Sequence, residues 1–281
     1  MSKAVRNFSI NLGGKLLSLD VPIVMGILNI TPDSFYEGSR RQSEDAVLSL
    51  AQKMVSEGVT ILDLGAYSTR PGADDVSPIE EADRLLPALE LVRDAFPDVA
   101  LSVDSFRESV IRQALQAGAH MVNDVTGGHG DEQMLETVAQ FQVPYVCMHM
   151  RGTPKTMMKE NQYDDLLLDL NYYFTERLHA CKQAGINDVI LDPGVGFAKG
   201  PTQNFELLSR LHLLIHDAPM LVGLSRKSFI YRTLGVQADQ ALNGTTAMHM
   251  EALRGGAKIL RVHDVAPALE CIQLYQALQN N

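Results

Sequence analysis

Short apolar runs rich in β-branched residues alternate with longer amphipathic stretches from Ile23 to the end of the chain. The runs are Ile23–Leu28, Ile61–Leu64, Ala100–Val103, Met121–Asn123, Pro144–Met148, Val189–Leu191, Met220–Gly223 and Ile259–Val262, each of strand length. The stretches between them close at Gly58, Gly118, Gly185 and Gly255, where glycine permits the left-handed turn that ends a helix. Ser77-Pro78-Ile79-Glu80 predicts a helix start, with an N-cap serine, a proline in the first turn and a glutamate at the third position; Ser105-Phe106-Arg107-Glu108 reads as a second capping box. After Asn161, the residues Leu167, Leu170, Phe174, Leu178 and Cys181 recur at helical spacing and predict a core-facing stripe.

Strict strand–helix alternation over eight strands predicts an α/β fold, a (β/α)₈ TIM barrel with parallel strands, rather than an open sheet. Ahead of the first barrel strand, Asn7 to Asp20 alternates and turns at Gly13-Gly14, which predicts a β-hairpin that caps the bottom of the barrel. No linker, repeat or low-complexity tract divides the chain. One domain over residues 1–281 is expected, with the hairpin in 1–20 and the barrel in 21–281. Long connections are expected after strands one, two and six, on the face where barrels carry their chemistry.

At 281 residues the chain is long enough for a barrel, which needs roughly 250. A formal charge of −10 argues against nucleic acid or an anionic membrane as a partner, since both call for a basic face. No apolar run approaches the roughly 18 residues of a membrane span, and Met1 to Leu12 lacks a signal-peptide pattern, so a cytoplasmic protein is expected. Cys147, Cys181 and Cys271 are scattered and odd in number, which predicts core thiols rather than disulfides or a zinc site.

The polar residues fall where a purely structural strand would not need them. Asn29 follows strand one and Thr69-Arg70 strand two; Asp104, Asn123-Asp124, His149 and Asp192 end strands three to six. Ser225-Arg226-Lys227 follow strand seven, and strand eight runs into Arg261-Val262-His263-Asp264. In a barrel these positions ring one mouth. Capping and function compete evenly for Asp124 and Asp264. His149, His212, His216 and His249 read as surface or satisfied core residues, whereas Asp104 and Asp192 end apolar strands, where an unpaired carboxylate is costly unless it meets a ligand or partner. The run Asp192-Pro193-Gly194-Val195-Gly196-Phe197-Ala198-Lys199-Gly200 leads to a helix near Thr202, and Ser225 to Phe229 leads to another; helix starts of this kind suit anions. Neither run has the spacing of a P-loop or a dinucleotide fingerprint.

Taken in order, Met25-Gly26-Ile27-Leu28-Asn29-Ile30-Thr31-Pro32-Asp33-Ser34-Phe35, Ser68-Thr69-Arg70-Pro71-Gly72, Ser102-Val103-Asp104-Ser105, Asn123-Asp124, Asp192 to Phe197, Ser225-Arg226-Lys227-Ser228 and Arg261 to Asp264 resemble the motif series of dihydropteroate synthases. Tyr67, Phe35-Tyr36-Glu37-Gly38 and Ala198 depart from that pattern. The resemblance implies a transferase of folate biosynthesis that joins a dihydropterin pyrophosphate to p-aminobenzoate. It implies pterin binding by Asp104, Asn123, Asp192 and Lys227, and pyrophosphate binding by Asn29, Arg261 and His263, with Asn29 on a Mg²⁺ ion. It places p-aminobenzoate against Thr69, Pro71, Phe197 and Ser228, with Asp33, Phe35 and Arg70 on closing loops. Asp104, Lys227, Arg261 and His263 are the implied catalytic set, and a homodimer is the implied assembly. The nearest other class, a pterin-binding methyltransferase, shares the aspartate–asparagine–aspartate pocket but lacks the Thr31 to Phe35 signature and the Lys227 with Arg261-Val262-His263 set.

Overall fold

The computed structural model describes residues 7–30, 40–67, 76–153, 156–214 and 217–279. First come β1 (Ser9–Leu12) and β2 (Lys15–Ser18), an antiparallel hairpin with Ser9 opposite Ser18 and Leu12 opposite Lys15. Its two-residue turn runs through positive φ at Gly13 (+59°) and Gly14 (+84°), which glycine adopts without a Cβ penalty. Alternation along β1 turns Ile10 and Leu12 to one side, where they join Leu19 and the lower ends of the barrel strands, among them Ile61, Met121, Ile190 and Ile259. The hairpin therefore closes the floor of the barrel.

The barrel strands are β3 (Ile23–Asn29), β4 (Ile61–Gly65), β5 (Ala100–Asp104), β6 (Met121–Asp124), β7 (Tyr145–Met148), β8 (Val189–Asp192), β9 (Leu221–Gly223) and β10 (Ile259–Val262). All pair in parallel in the order β8-β7-β6-β5-β4-β3-β10-β9, and a parallel bridge between Leu191 and Met220 brings the two ends together. Each expected run is a strand, and five of them reach one residue further, to Asn29, Gly65, Asp104, Asp124 and Asp192.

Helices α1 (Arg40–Ser56), α2 (Pro78–Ala95), α3 (Glu108–Gln116), α4 (Met134–Phe141), α5 (Leu166–Ala184), α6 (Pro201–Ser209), α7 (Ser228–Leu234), α8 (Leu242–Arg254) and α9 (Val265–Gln279) pack around the strands. Helix α2 starts as its sequence predicts, with the Ser77 hydroxyl accepting from the Glu80 N–H at 3.2 Å. On α5, Leu167, Leu170, Phe174 and Cys181 are buried and Leu178 is half-buried against them, the predicted stripe. The three cysteines are buried free thiols; burial pushes Cys147 far above the ordinary thiol range, which suits a core residue and not a nucleophile.

Two expectations fail. Ser105 does not cap α3: the helix begins at Glu108 behind Arg107, and the Ser105 hydroxyl accepts the Arg107 N–H at 3.2 Å instead. The Glu108 carboxylate is drawn sideways, accepting from Arg112 one turn along the same helix at 2.5 Å and from the Thr137 hydroxyl at 2.6 Å, so an intrahelical and a tertiary partner together outcompete the capping box. The connection after strand six, residues 193–200, is short; the long one follows strand five and spans residues 149–165.

Candidate active site

The site follows from strand alternation. In β4, β6, β8 and β10, Ile61, Met121, Ile190 and Ile259 lie in the apolar floor cluster; two residues further, on the same face of each strand, stand Asp63, Asn123, Asp192 and Arg261. Layers of four side chains from alternate strands are how such barrels fill. Here the layer next to the mouth is polar.

Asp63, fully buried, is the hub of that layer. Its Oδ2 accepts from Asn123 Nδ2 at 2.9 Å and from Arg261 Nε at 2.6 Å, while Arg261 Nη2 donates to Asp104 Oδ2 at 2.6 Å. The guanidinium is thus held between two carboxylates. Burial pushes Asp104 up to about 7, opposed by Arg261 and reinforced by the negative charges of Asp63, Glu81 and Asp124. Burial also raises Asp192, against the Gly194 N–H, donated to its Oδ1 at 2.8 Å, and the positive charges of Lys227, Arg261 and Lys199.

Beside this layer, Lys227 Nζ stands 4.2 Å from the centre of the Phe197 ring, a cation–π contact. His263 Nδ1 lies 3.0 Å from the Ser225 hydroxyl, which also accepts the His263 N–H at 3.2 Å. A hydroxyl oxygen has two lone pairs and one hydrogen, so Ser225 can serve either tautomer of the ring. Ser228 is exposed at the first position of α7, and Asn29 is exposed at the end of β3. Asp33, Phe35, Thr69, Arg70 and Pro71 lie outside the described residues, as do Tyr36, Glu37 and His216.

Asp124 and Asp264 resolve differently from a plain helix cap. Asp124 accepts from the N–H and hydroxyl of Thr126, the Gly128 N–H and the Tyr145 hydroxyl at 2.7–2.8 Å, a saturated structural acceptor on the face of β6 opposite Asn123. Asp264 takes both ends of the Arg226 guanidinium at 2.7 and 3.2 Å. His249 is buried with burial pushing it down to about 4, and His212 is exposed. Tyr67 meets Phe106 edge-on at 5.3 Å and lies under the Arg107 guanidinium, whose Nη1 reaches the buried Glu81 at 2.6 Å.

Three residues escaped the sequence reading: Asp63, Lys199 and Ser225 as the partner of His263. A signal for Asp63 was present, since a lone carboxylate interrupts Ile61-Leu62-Asp63-Leu64, and a charge inside an apolar strand needs a partner. Lys199 had only its place in a glycine-rich run.

That run is a stiff platform. Gly194 has φ +64°, and a Cβ there would collide with the His149 carbonyl oxygen. Ala198 adopts φ +49° without being glycine, a conformation costing roughly 1–2 kcal/mol. Gly194→Ala should lower stability by about 2–4 kcal/mol, because backbone must move on both sides of the contact. Urea unfolding measures it, and an unchanged midpoint would show that the loop yields freely.

Fold and mouth together define a barrel enzyme whose site offers buried carboxylates and an amide to a polar ligand, with cationic groups beside them. Comparison with known proteins narrows the class. The profile of the pterin binding enzyme family matches residues 25–263. Dihydropteroate synthase of Escherichia coli K12 is 42% identical over 267 residues, covering 94% of each chain, and that of Haemophilus influenzae is 41% identical over 95% of this chain and 97% of its own. The Yersinia pestis dihydropteroate synthase, solved in a sulfonamide drug complex, superposes with a TM-score of 0.90 at 42% identity, covering 98% of this chain and all of that one. The Xanthomonas albilineans enzyme solved with 4-aminobenzoic acid gives 0.89 at 38% identity, covering 97% and 98%. The chain belongs to the pterin-binding enzyme family and, within it, to the dihydropteroate synthases.

Proposed function

We propose that this mouth binds 6-hydroxymethyl-7,8-dihydropterin pyrophosphate and p-aminobenzoate and joins them as 7,8-dihydropteroate, releasing pyrophosphate. The observation that carries the reading is the polar layer itself: Asp63, Asn123, Asp192 and Arg261 come from four separate strands, Arg261 also holds Asp104, and the Lys227 charge faces Asp192. A pterin edge presents adjacent N–H donors and a carbonyl, which the Asp192 carboxylate, the Asn123 amide and the Lys227 ammonium complement. Asp104 places negative charge beside a ring that becomes cationic as the exocyclic C–O bond breaks.

The amine of p-aminobenzoate is a weak nucleophile, so its alignment and the departure of pyrophosphate dominate the barrier. Its nitrogen lone pair forms the new C–N bond, the C–O pair leaves with pyrophosphate, and the spare amine proton passes to solvent or the leaving group. Phe197, with Thr69 and Pro71, packs the aryl ring, and Ser228 at the start of α7 takes the carboxylate. Asp33, Phe35 and Arg70 close over the amine. His263 and the remaining donor surface of Arg261 hold the pyrophosphate.

Among the described residues no group of three His, Cys, Asp or Glu gathers as a metal site. The exposed Asn29 oxygen alone still fits Mg²⁺, which keeps waters and takes further ligands from phosphate oxygens. When bound, the ion supplies positive charge against the departing pyrophosphate. We place the reaction in the cytoplasm and in a homodimer. Among the described residues no helix is long and apolar enough to cross a membrane.

Purified protein given both substrates and Mg²⁺ should form dihydropteroate with one pyrophosphate per turnover. An aryl sulfonamide, sharing the ring and amine, should compete with p-aminobenzoate and not with the pterin. Noncompetitive inhibition against p-aminobenzoate would remove the pocket assigned to it, and methyl transfer without condensation would favour the methyltransferase class.

The protonation of Asp104 adds a pH test. Burial raises its pKa to about 7, so the carboxylate present above that value is neutralised as the pH falls through it. Affinity for a pterin lacking the pyrophosphate should therefore weaken below about pH 7 and level off above it. Asp104→Asn should bind weakly with no such limb; a limb that persists in the variant assigns it to another group.

A further inference from the structure

The β8–α6 loop carries a buried lysine with no part in the reaction described above. Lys199 is 2% exposed, and its Nζ lies 3.0 Å from His149 Nδ1, 3.1 Å from the Gly194 carbonyl oxygen and 3.0 Å from the Phe197 carbonyl oxygen. Three acceptors meet the three hydrogens of an ammonium group. His149, itself buried, sits at the exit of β7, and burial together with the Lys199 and Arg151 charges holds its ring neutral, so Nδ1 can accept. A charge this deep is expensive to bury, and burial lowers Lys199 to about 7. An apolar side chain would fill the same space without that cost.

What the lysine does is join two mouth loops. One of its acceptors belongs to the β7–α5 connection, and the other two are the first and fourth residues of the turn that presents Phe197. That turn is closed by the Phe197 N–H donating to the Gly194 carbonyl at 3.0 Å. Other bonds run the same way. The Tyr163 hydroxyl, from the β7–α5 connection, donates to the Ala198 carbonyl at 3.0 Å, and Asn204 takes the Gly196 N–H at 2.7 Å and donates to the Lys199 and Gly200 carbonyls at 3.1 and 2.8 Å. Among the described residues Lys199 is the side chain that holds the Phe197 carbonyl, and it does so next to the left-handed Ala198, where the chain has most reason to relax.

We propose that Lys199 is a positioning residue for the second substrate: by tying His149 to the carbonyls of Gly194 and Phe197 it fixes the aromatic platform on which the p-aminobenzoate ring packs. The proposal rests on Phe197 being that platform. The ammonium touches neither substrate; it sets the height and tilt of the ring beside Lys227. Its loss frees Phe197 while leaving the carbon skeleton of the loop in place.

The experiment is a double-mutant cycle on the full-length enzyme, with steady-state kinetics for p-aminobenzoate and calorimetric affinity for a pterin analogue. Lys199→Met should raise the KM for p-aminobenzoate by about fivefold or more, with kcat changed less than about threefold and pterin affinity within about twofold, since only the second subsite loosens. In a Phe197→Ala background the same substitution should change KM by less than about twofold, because there is no ring left to position. An unchanged KM in Lys199→Met, or an equal rise with and without Phe197, overturns the proposal. If Phe197→Ala alone leaves KM unchanged, the platform reading fails and the proposal falls with it. Should the methionine variant not fold, Lys199→Gln is read the same way: a KM rise of about threefold supports the role and an unchanged KM overturns it.

Discussion

Asp192→Ala is expected to weaken pterin binding by about 30-fold to 1,000-fold while leaving the barrel folded. The carboxylate ends an apolar strand in a buried position, surrounded by the positive charges of Lys227, Arg261 and Lys199. A pterin bound there exchanges water for a charged acceptor in a desolvated site, and removing that acceptor leaves ligand donors and the Lys227 ammonium without it. A loss of roughly 2–4 kcal/mol follows, about 30-fold to 1,000-fold in affinity. Folding should survive, since the protein donor to the carboxylate is a loop N–H two residues away. Calorimetric titration with a pterin analogue reads the effect, with thermal unfolding as control. Affinity within about threefold of the parent would reduce Asp192 to a brace for the Gly194 turn.

Asp63→Ala should damage stability and activity together, and more broadly. Asp63 Oδ2 is shared by Asn123 and Arg261, side chains from strands on either side of the barrel interior, so one substitution releases both. The guanidinium keeps Asp104 as its remaining partner and should swing towards it, turning Asn123 out of register with a ligand. Removing one partner of a buried ion pair costs about 3–5 kcal/mol. The retained Asp104 contact argues for the lower end of that range. Turnover per KM for the pterin substrate should drop by about 100-fold or more, because two groups of the pocket move at once. Asp63→Asn keeps the shape and one oxygen acceptor, and should recover most of the stability but less of the activity. If the alanine variant unfolds at the parent's urea midpoint and turns over normally, the carboxylate is not the hub of the polar layer.

The two substitutions differ in how visible their targets are in the sequence. Asp192 opens a glycine-rich run and ends an apolar strand, so its exposure to a ligand can be read from local pattern alone. Asp63 sits mid-strand, and its role depends on Asn123, 60 positions later, and Arg261, 198 positions later. Alternation along β4 states which face Asp63 shares with Ile61; it is silent on which side chains cross the barrel to meet it. Ser225 and His263 show the same limit, since each lies in a recognisable motif while their mutual hydrogen bond depends on neighbouring loops.

Sequence by itself determined the hairpin, the eight strands, the start of α2, the buried stripe of α5 and the ring of polar residues at the strand ends. These are consequences of period and of short-range backbone chemistry, which act within a few residues and are written in order along the chain. Tertiary structure decided the rest. It moved the start of α3 from Ser105 to Glu108, because the Thr137 hydroxyl holds the Glu108 carboxylate and the Asp131 carboxylate accepts the Glu108 N–H. It also joined Asp63 to Arg261 and buried Lys199 against His149. Hydrogen-bond partners of buried charges are selected by barrel closure and strand register, and both arise only once all the strands are in place.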